Sequence, residues 1–290
     1  MHPAPSIIAF TTLSGLGLGL LFWLGIDPTP PTGWVGAVFF AIGFALAGGG
    51  LMLSTFHLGR PERAIRAFSQ WRTSWLSREA WTALAALSVM VLHAALVVLF
   101  GFSLSLLGWL GAALCLATVF TTSMIYAQLR TVPRWHHWST PLLFLTLSLA
   151  GGALLSGRVS VAMVLLAITG AVQLWSWRDG DERLARSGSD MASATGLGGI
   201  GTVRAFEPPH TGTNYLMREM VHVVGRKHAQ KLRVIAMGLM VVLPVVLLAL
   251  PFGHAWAGLA VLSHVAGVIV ARWLFFAEAE HVVGFYYGKR

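Results

Sequence analysis

The chain has 290 residues, of which 56% are hydrophobic and 11% charged, against about 25% charged in an ordinary soluble domain. A water-soluble globule cannot hide that much apolar surface, so the composition excludes one and points to a lipid-embedded bundle whose helices are apolar all round. The net charge of +9 is no nucleic-acid footprint, because the basic residues sit beside apolar spans.

Cys115 is the single cysteine and falls in an apolar segment. That excludes an intrachain disulfide, a cysteine-rich zinc site and protein-ligated iron–sulfur clusters, since a cluster needs about four thiolates. In chain order, eight apolar stretches are long enough to cross about 30 Å of hydrocarbon. They are Ser6–Ile26, Gly33–Phe56, Glu79–Phe100, Leu104–Tyr126, Thr140–Ser156, Val159–Trp177, Lys231–Pro251 and His254–Ala277. The expected fold is all-α: a polytopic membrane helix bundle of eight transmembrane helices, one domain over residues 1–290, with interfacial helices in the long loops. No Lys or Arg precedes the first apolar run and no polar cleavage region follows it, so it reads as a span and not as a secretory signal.

Eight spans put both termini on one side. Loops on that side hold Arg60, Arg63, Arg66, Arg72 and Arg78, then Arg130 and Arg134, then seven basic residues from Arg178 to Lys227, and finally Lys289 and Arg290. The opposite loops offer Arg158. The positive-inside rule therefore places the termini and long loops in the cytoplasm. Trp23, Trp34, Trp109 and Trp256 cluster near the poorly charged face, as an interfacial aromatic belt would. Gly15, Gly17 and Gly19, and then Gly48, Gly49 and Gly50, read as close-packing positions between helices.

The connection from His57 to Glu79 is too polar to span and too rich in Trp, Phe and Ile to float freely. Pro61 suits the first position of a helix, and Ala64, Ile65, Phe68, Trp71 and Trp75 follow at helical spacing with arginines between them, which predicts an interfacial helix. By itself such a helix equally well only seats the bundle. His57 ends the second span and Glu79 begins the third, so two titratable groups flank an aromatic segment at one membrane surface. Quinone chemistry moves two protons with its two electrons, and a base or acid near neutrality serves it. Taken singly, a histidine at a span end is an interfacial hydrogen-bonding group and a glutamate there a helix N-terminal charge.

The sixth connection, Arg178 to Gln230, carries a glycine-rich stretch, GLGGIG, and then a predicted interfacial helix over Asn214–Gln230. GLGGIG lacks the strand and βαβ unit that a dinucleotide fingerprint needs, so the connection reads as a surface against a partner or as a plain linker. In the last span, Arg272 lies inside the apolar segment with Glu278, Glu280 and His281 beyond it. An ion pair at the interface is the first reading, a proton path the second. His93 and His264 lie deep in the third and eighth spans, where a pair can ligate a b-type haem or each can hydrogen-bond a neighbouring helix. A transporter would show an internal repeat, and none is evident; a purely structural anchor shares every topological feature.

The segments HLGRP (His57–Pro61) and SQWRTSWLSRE (Ser69–Glu79), with EPPHTGTNYLMREM (Glu207–Met220) and the eight-span plan, resemble the membrane anchor subunits of dimethyl-sulfoxide-reductase-type molybdoenzymes, including the similar anchors of cytoplasmic sulfite dehydrogenases. The resemblance implies a bacterial inner-membrane subunit without haem or metal of its own. It implies an iron–sulfur subunit and a molybdopterin catalytic subunit as partners, and ubiquinone or menaquinone as the electron carrier met in the membrane. His57 matches the family's quinol-site histidine and Glu79 its acidic partner, with Arg60, Arg78, Trp71 and Trp75 in support. The cytoplasmic arginine bias leans toward sulfite:quinone oxidoreduction, with a dimethyl sulfoxide (menaquinol) reductase anchor as the alternative.

Overall fold

In the computed structural model the described residues are 2–56, 61–207, 211–221, 228–251 and 253–287. They are all-helical, with no strand among them. The helices are α1 (Pro5–Gly25), α2 (Gly33–Thr55), α3 (Trp75–Phe100), α4 (Ser105–Ala127), α5 (Ser139–Leu155), α6 (Val159–Arg186), α7 (Met191–Thr195), α8 (Tyr215–Glu219), α9 (Ala229–Met237), α10 (Leu243–Ala249) and α11 (His254–Ala277). Seven helical stretches are long and apolar enough to cross a membrane, the segment from Ala229 to Ala249 counting as one. The eighth, α5, has 17 residues, close to the lower limit of about 17 for a span. Gly157, at φ +72°, makes the turn that separates α5 from α6, so the two stretches joined by Gly157 and Arg158 are distinct helices.

The first helix is the axis of the bundle, contacting α2, α4, α5 and α11. Lipid supplies no hydrophobic drive between helices, so close approach depends on small residues. A Cβ on Gly17 would strike the backbone of Gly43 and Ala47 in α2, one on Gly19 the Ser148 carbonyl in α5, and one on Gly25 the Gly108 carbonyl in α4. Gly50 lies in the same way against Ser14. By contrast Gly15, Gly48 and Gly49 face open space, which corrects the expectation that both glycine triplets are packing positions throughout. Trp34 is 82% exposed and Trp109 59%, as belt residues are, but Trp23 donates its indole N–H to the Leu149 carbonyl at 2.9 Å and lies under Arg158.

Two elements depart from the expected boundaries for identifiable reasons. The sixth span continues past Trp177 to Arg186, because its charged end carries the i,i+4 pairs Asp179–Arg183 and Glu182–Arg186, which support a helix where the apolar stripe stops. The seventh is interrupted by a π-helical turn, Gly238–Val242, just before Pro244. Proline has no N–H to donate, and the carbonyls left near it are taken from α11: Ser263 donates to the Leu239 carbonyl at 2.7 Å and His264 Nδ1 lies 2.8 Å from the Met240 carbonyl. A carbonyl only accepts, so His264 Nδ1 is the protonated nitrogen here.

The long connection after α6 folds against the end of the chain. Tyr286 donates to the Ala194 carbonyl, and Asn214 caps α8 through Met217 N–H while donating to the Tyr287 hydroxyl at 3.1 Å. The described helix there is Tyr215–Glu219, shorter than the expected Asn214–Gln230; residues 222–227 lie outside the described set. GLGGIG follows a five-residue helix, not a strand.

The packing makes a direct contrast testable. Gly152, whose Cβ would enter the backbone of Gly19, should not tolerate Gly152→Ala, at a cost of roughly 1–3 kcal/mol from overpacking. Gly48→Ala, into open space, should change stability by no more than about 0.5 kcal/mol. Thermal midpoints of the detergent-solubilised protein measure both.

Candidate functional site

The even number of spans gathers the start of α1, the end of α2, the start of α3, the end of α4, the start of α5, the end of α6, the start of α9 and the end of α11 at one face. That face is bound by charge. Asp181 at the end of α6 accepts from Arg134 in the α4–α5 loop at 2.6 Å and from Arg233 of α9 at 2.6 and 2.8 Å. Arg233 also donates to Glu278 at the end of α11 at 2.7 Å. His137 lies between α4 and α5 with Arg183 Nη2 2.9 Å from its Nδ1, and burial, then the Arg183 charge, hold it below the usual histidine range. On the opposite face Arg158 pairs with Asp27 at 2.5 Å.

The segment before α3 does not form the expected continuous interfacial helix. Pro61–Phe68 is a 3-10 helix, residues 69–73 turn, and α3 begins at Trp75, one turn before Glu79. The cause is a set of bonds that fold the segment back on α3. Ser77 Oγ accepts from Gln70 N–H at 3.0 Å and donates to the Ala67 carbonyl. Arg78 donates to the carbonyls of Trp71 and Arg72 at 3.0 and 2.7 Å, and Trp81 donates its indole N–H to the Phe68 carbonyl at 3.0 Å. A helix continued through 69–73 would forgo these contacts.

The fold creates a cavity of about 390 Å³ lined by Trp71, Arg78, Trp81 and Thr82, within the size range of small-molecule sites. Two indoles supply broad flat walls, and Arg78 and Thr82 supply polar edges. Trp75 is not in the lining: its ring backs Arg78, with the guanidinium carbon 4.3 Å from the ring centroid, and meets Phe120 edge-on. The sequence does not single out Trp81 and Thr82, because both lie inside the apolar run Glu79–Phe100.

Glu79 is placed differently. It points into the bundle, is 4% exposed, and accepts the Thr122 hydroxyl of α4 at 2.5 Å. At about 100° per residue, Glu79 lies about 100° round α3 from Arg78 and about 60° from Thr82, so it faces the adjoining side of the same first turns. Thr82 links the two sides, its hydroxyl 3.0 Å from that of Thr121, the neighbour of Thr122. His57 and Arg60 lie outside the described residues.

A larger groove, about 560 Å³, runs between α6 and α9 past Trp177, Arg178, Asp181 and Arg233, but the Arg233–Asp181 pairing already takes up much of its polar wall. Arg272 is not the partner of Glu278, which Arg233 and Arg134 hold. His93 packs beside Gly108 where α4 meets Gly25 of α1, whereas His264 lies beside Gly151, opposite Leu16. Gly25 and Leu16 are about 13 Å apart along α1, too far for the two histidines to share one iron. Among the described residues no three His, Cys, Asp or Glu side chains group as metal ligands do.

The family model for the DMSO reductase anchor subunit matches residues 4–174, the stretch that holds the cavity, Glu79 and the central helix. The chain belongs to the DMSO reductase anchor subunit family. It is similar to a sulfite dehydrogenase subunit of Allochromatium vinosum, 31% identical with 99% of each chain covered. No solved structure matches. As a member of the family the chain is a multi-pass membrane anchor subunit of a molybdoenzyme complex.

The Arg78 contacts give a prediction for this part of the anchor. Hydrogen bonds to a charged group are worth about 1.5–3 kcal/mol, so Arg78→Ala should cost residues 64–74 at least a tenfold loss of amide-exchange protection while α4 and α5 are unchanged. Hydrogen exchange with peptide-level readout measures it.

Proposed function

We propose that this anchor is the quinone-reactive subunit of a sulfite:quinone oxidoreductase, receiving electrons from an iron–sulfur subunit whose own donor is a molybdopterin catalytic subunit. The observation that carries the reading is the aromatic and arginine-edged cavity at the membrane surface, in the part of the chain that the family model covers. A quinone head is flat and apolar with two carbonyl oxygens. The Trp71 and Trp81 rings suit its faces, Arg78 and Thr82 its oxygens, and the open side admits an isoprenoid tail from the lipid. Trp75 holds the Arg78 guanidinium in place from behind.

In this reading the quinone takes two electrons from the partner's cluster and two protons at its oxygens. His57 and Glu79 are the groups proposed to exchange those protons, with Arg60 in support. Lipid surrounds the bundle, and the exposed Ile200, Phe206 and Tyr215 on the connection after α6 suit a protein partner docked on the same face. The likeness to a sulfite dehydrogenase subunit and the arginine-rich face favour sulfite as the electron source and a bacterial inner membrane with that face in the cytoplasm. The family's own description supports the second reading, an anchor passing electrons from menaquinol to dimethyl sulfoxide, which reverses the flow.

The test compares quinone-linked with dye-linked turnover in membranes. His57→Ala and Glu79→Gln should lower the quinone-linked rate by about 10²–10⁴-fold, the usual worth of acid–base help, with the dye-linked rate retained. Trp81→Ala should raise the quinone KM about tenfold, the loss of roughly 1.4 kcal/mol of ring contact. Equal falls in both rates would make these residues structural. For orientation, cysteines placed at positions 63–73 should resist an impermeant thiol reagent in intact spheroplasts and react after lysis; labelling before lysis reverses the topology and removes the argument for a cytoplasmic catalytic partner.

A further inference from the structure

The buried charges of the bundle can be matched partner by partner. Among the described residues the buried carboxylates are Glu79 and Glu278, and the buried guanidiniums are Arg183 and Arg272. Glu278 is held by Arg233 and faces Arg134, and Arg183 is held by Asp179. Two groups remain. Glu79 receives the Thr122 hydroxyl and pairs with no described cation. Arg272 rests on Phe144, its guanidinium carbon 3.6 Å from the ring centroid, and its Nε and Nη1 hydrogens reach no acceptor.

A guanidinium stays charged in a protein, and an unpaired charge in low dielectric costs several kcal/mol, so Arg272 needs a polar partner that the side chains alone do not provide. A small void lies against it, walled by Thr11, Ser14 and Thr122. Its volume of about 10 Å³ is close to the minimum that holds one water. The hydroxyl hydrogens around it are engaged elsewhere: Thr11 donates to Ile7 at 2.9 Å, Ser14 to Phe10 at 2.7 Å, and Thr122 to Glu79 or to the Thr118 carbonyl at 2.9 Å. Their oxygens are left to accept. A water in the void would accept from Arg272 and donate to two of those oxygens, the roughly three bonds usual for a buried water.

The heights agree. Glu79 is four residues from the start of α3, while Thr122 and Arg272 are each five from the ends of α4 and α11, so all three lie about 6–8 Å inside the same helix ends. Tyr126, one turn from Thr122 on α4, has its ring centroid 5.7 Å from that of Phe144, the ring under Arg272.

The geometry points to a hydrated, charge-balanced site in which a water joins Arg272 to Thr122 and through it to Glu79, making Arg272 the counter-charge of that carboxylate. This rests on the quinone reading, in which Glu79 gives a proton to the reduced quinone oxygen and is left as a carboxylate until a proton returns. Arg272 then acts as a positioning residue, stabilising the anion that forms and never touching the quinone.

The test uses the intact complex and a double-mutant cycle of Arg272→Gln and Glu79→Gln. Arg272→Gln should lower the thermal midpoint by several degrees in the native background and by less than half as much when Glu79 is already glutamine. Equal drops in both backgrounds overturn the pairing. If Arg272→Gln fails to assemble, Arg272→Lys in both backgrounds answers the same question. In quinone-linked turnover Arg272→Gln should reduce kcat at least tenfold at unchanged quinone KM, with Arg272→Lys within about threefold of native. A change confined to KM would put Arg272 on the quinone and overturn the assignment. The midpoints need no quinone: additive midpoints with a quinone-defective Glu79→Gln sink the pairing alone, whereas coupled midpoints with normal quinone turnover in Glu79→Gln sink the quinone reading alone.

Discussion

Everything at the candidate site hangs on the close approach of helices to α1. In hydrocarbon an apolar side chain gains nothing from leaving lipid for another helix, so packing has to come from shape and from backbone proximity. The first helix meets that requirement with Gly17, Gly19 and Gly25, each against the backbone of a different neighbour. Because α2, α4 and α5 are all referenced to one axis, their ends at the arginine-rich face fall at fixed heights. That is why Thr122 of α4 and Ser14 of α1 border one void with Arg272 of α11, although they are far apart in sequence.

The second organising constraint is charge. At the membrane surface the bundle ties the α4–α5 connection to the ends of α6, α9 and α11 through Asp181 and Glu278, with Arg134 and Arg233 each facing both acids. Single exposed pairs are worth little, but this set is half-buried and shared, and Glu278 is 4% exposed. Removing Glu278 would leave Arg233 with Asp181 alone and Arg134 with half its neutralising charge. A charge-linked floor follows at this face, and the aromatic cavity lies apart from it, on α3 and the segment before it.

The spans, their number and the sidedness of the arginines were legible in the sequence, because length and apolarity in lipid are nearly sufficient to specify a crossing helix. The Arg78 and Trp71 placements were legible from composition beside a span end. Trp81 and Thr82 were not, since inside an apolar run nothing separates a lipid-facing indole from one that walls a cavity. The 3-10 geometry of Pro61–Phe68 was hidden for a different reason: Ser77 and Arg78 reach back over several residues to hold it, and periodicity does not register such bonds. Arg272 was visible as an anomaly but not in its surroundings. Its nearest acids in sequence, Glu278 and Glu280, suggested a pair that the geometry gives to Arg233 instead, because α9 enters the same surface beside the end of α11.

One consequence of helical geometry bears on how proton and electron can be handled at α3. Residues 78, 79, 81 and 82 span little more than one turn, yet they divide into an outward set bordering the aromatic cavity and an inward carboxylate held by α4. A quinone in the proposed position would have lipid and indoles on one side and, beyond Thr82, a polar interior that begins at Thr121 and Thr122. Electron delivery from a docked partner needs only proximity to the cavity. Proton exchange needs a group whose charge can change in low dielectric without leaving an uncompensated ion, and Glu79 is a buried carboxylate held by the Thr122 hydroxyl, on the wall of the void that Arg272 also borders. Turning the carboxylate about 100° round α3 from Arg78 keeps it out of the aromatic slot, whose only ionic edge is then Arg78, while holding the proton-bearing group within one residue of the wall.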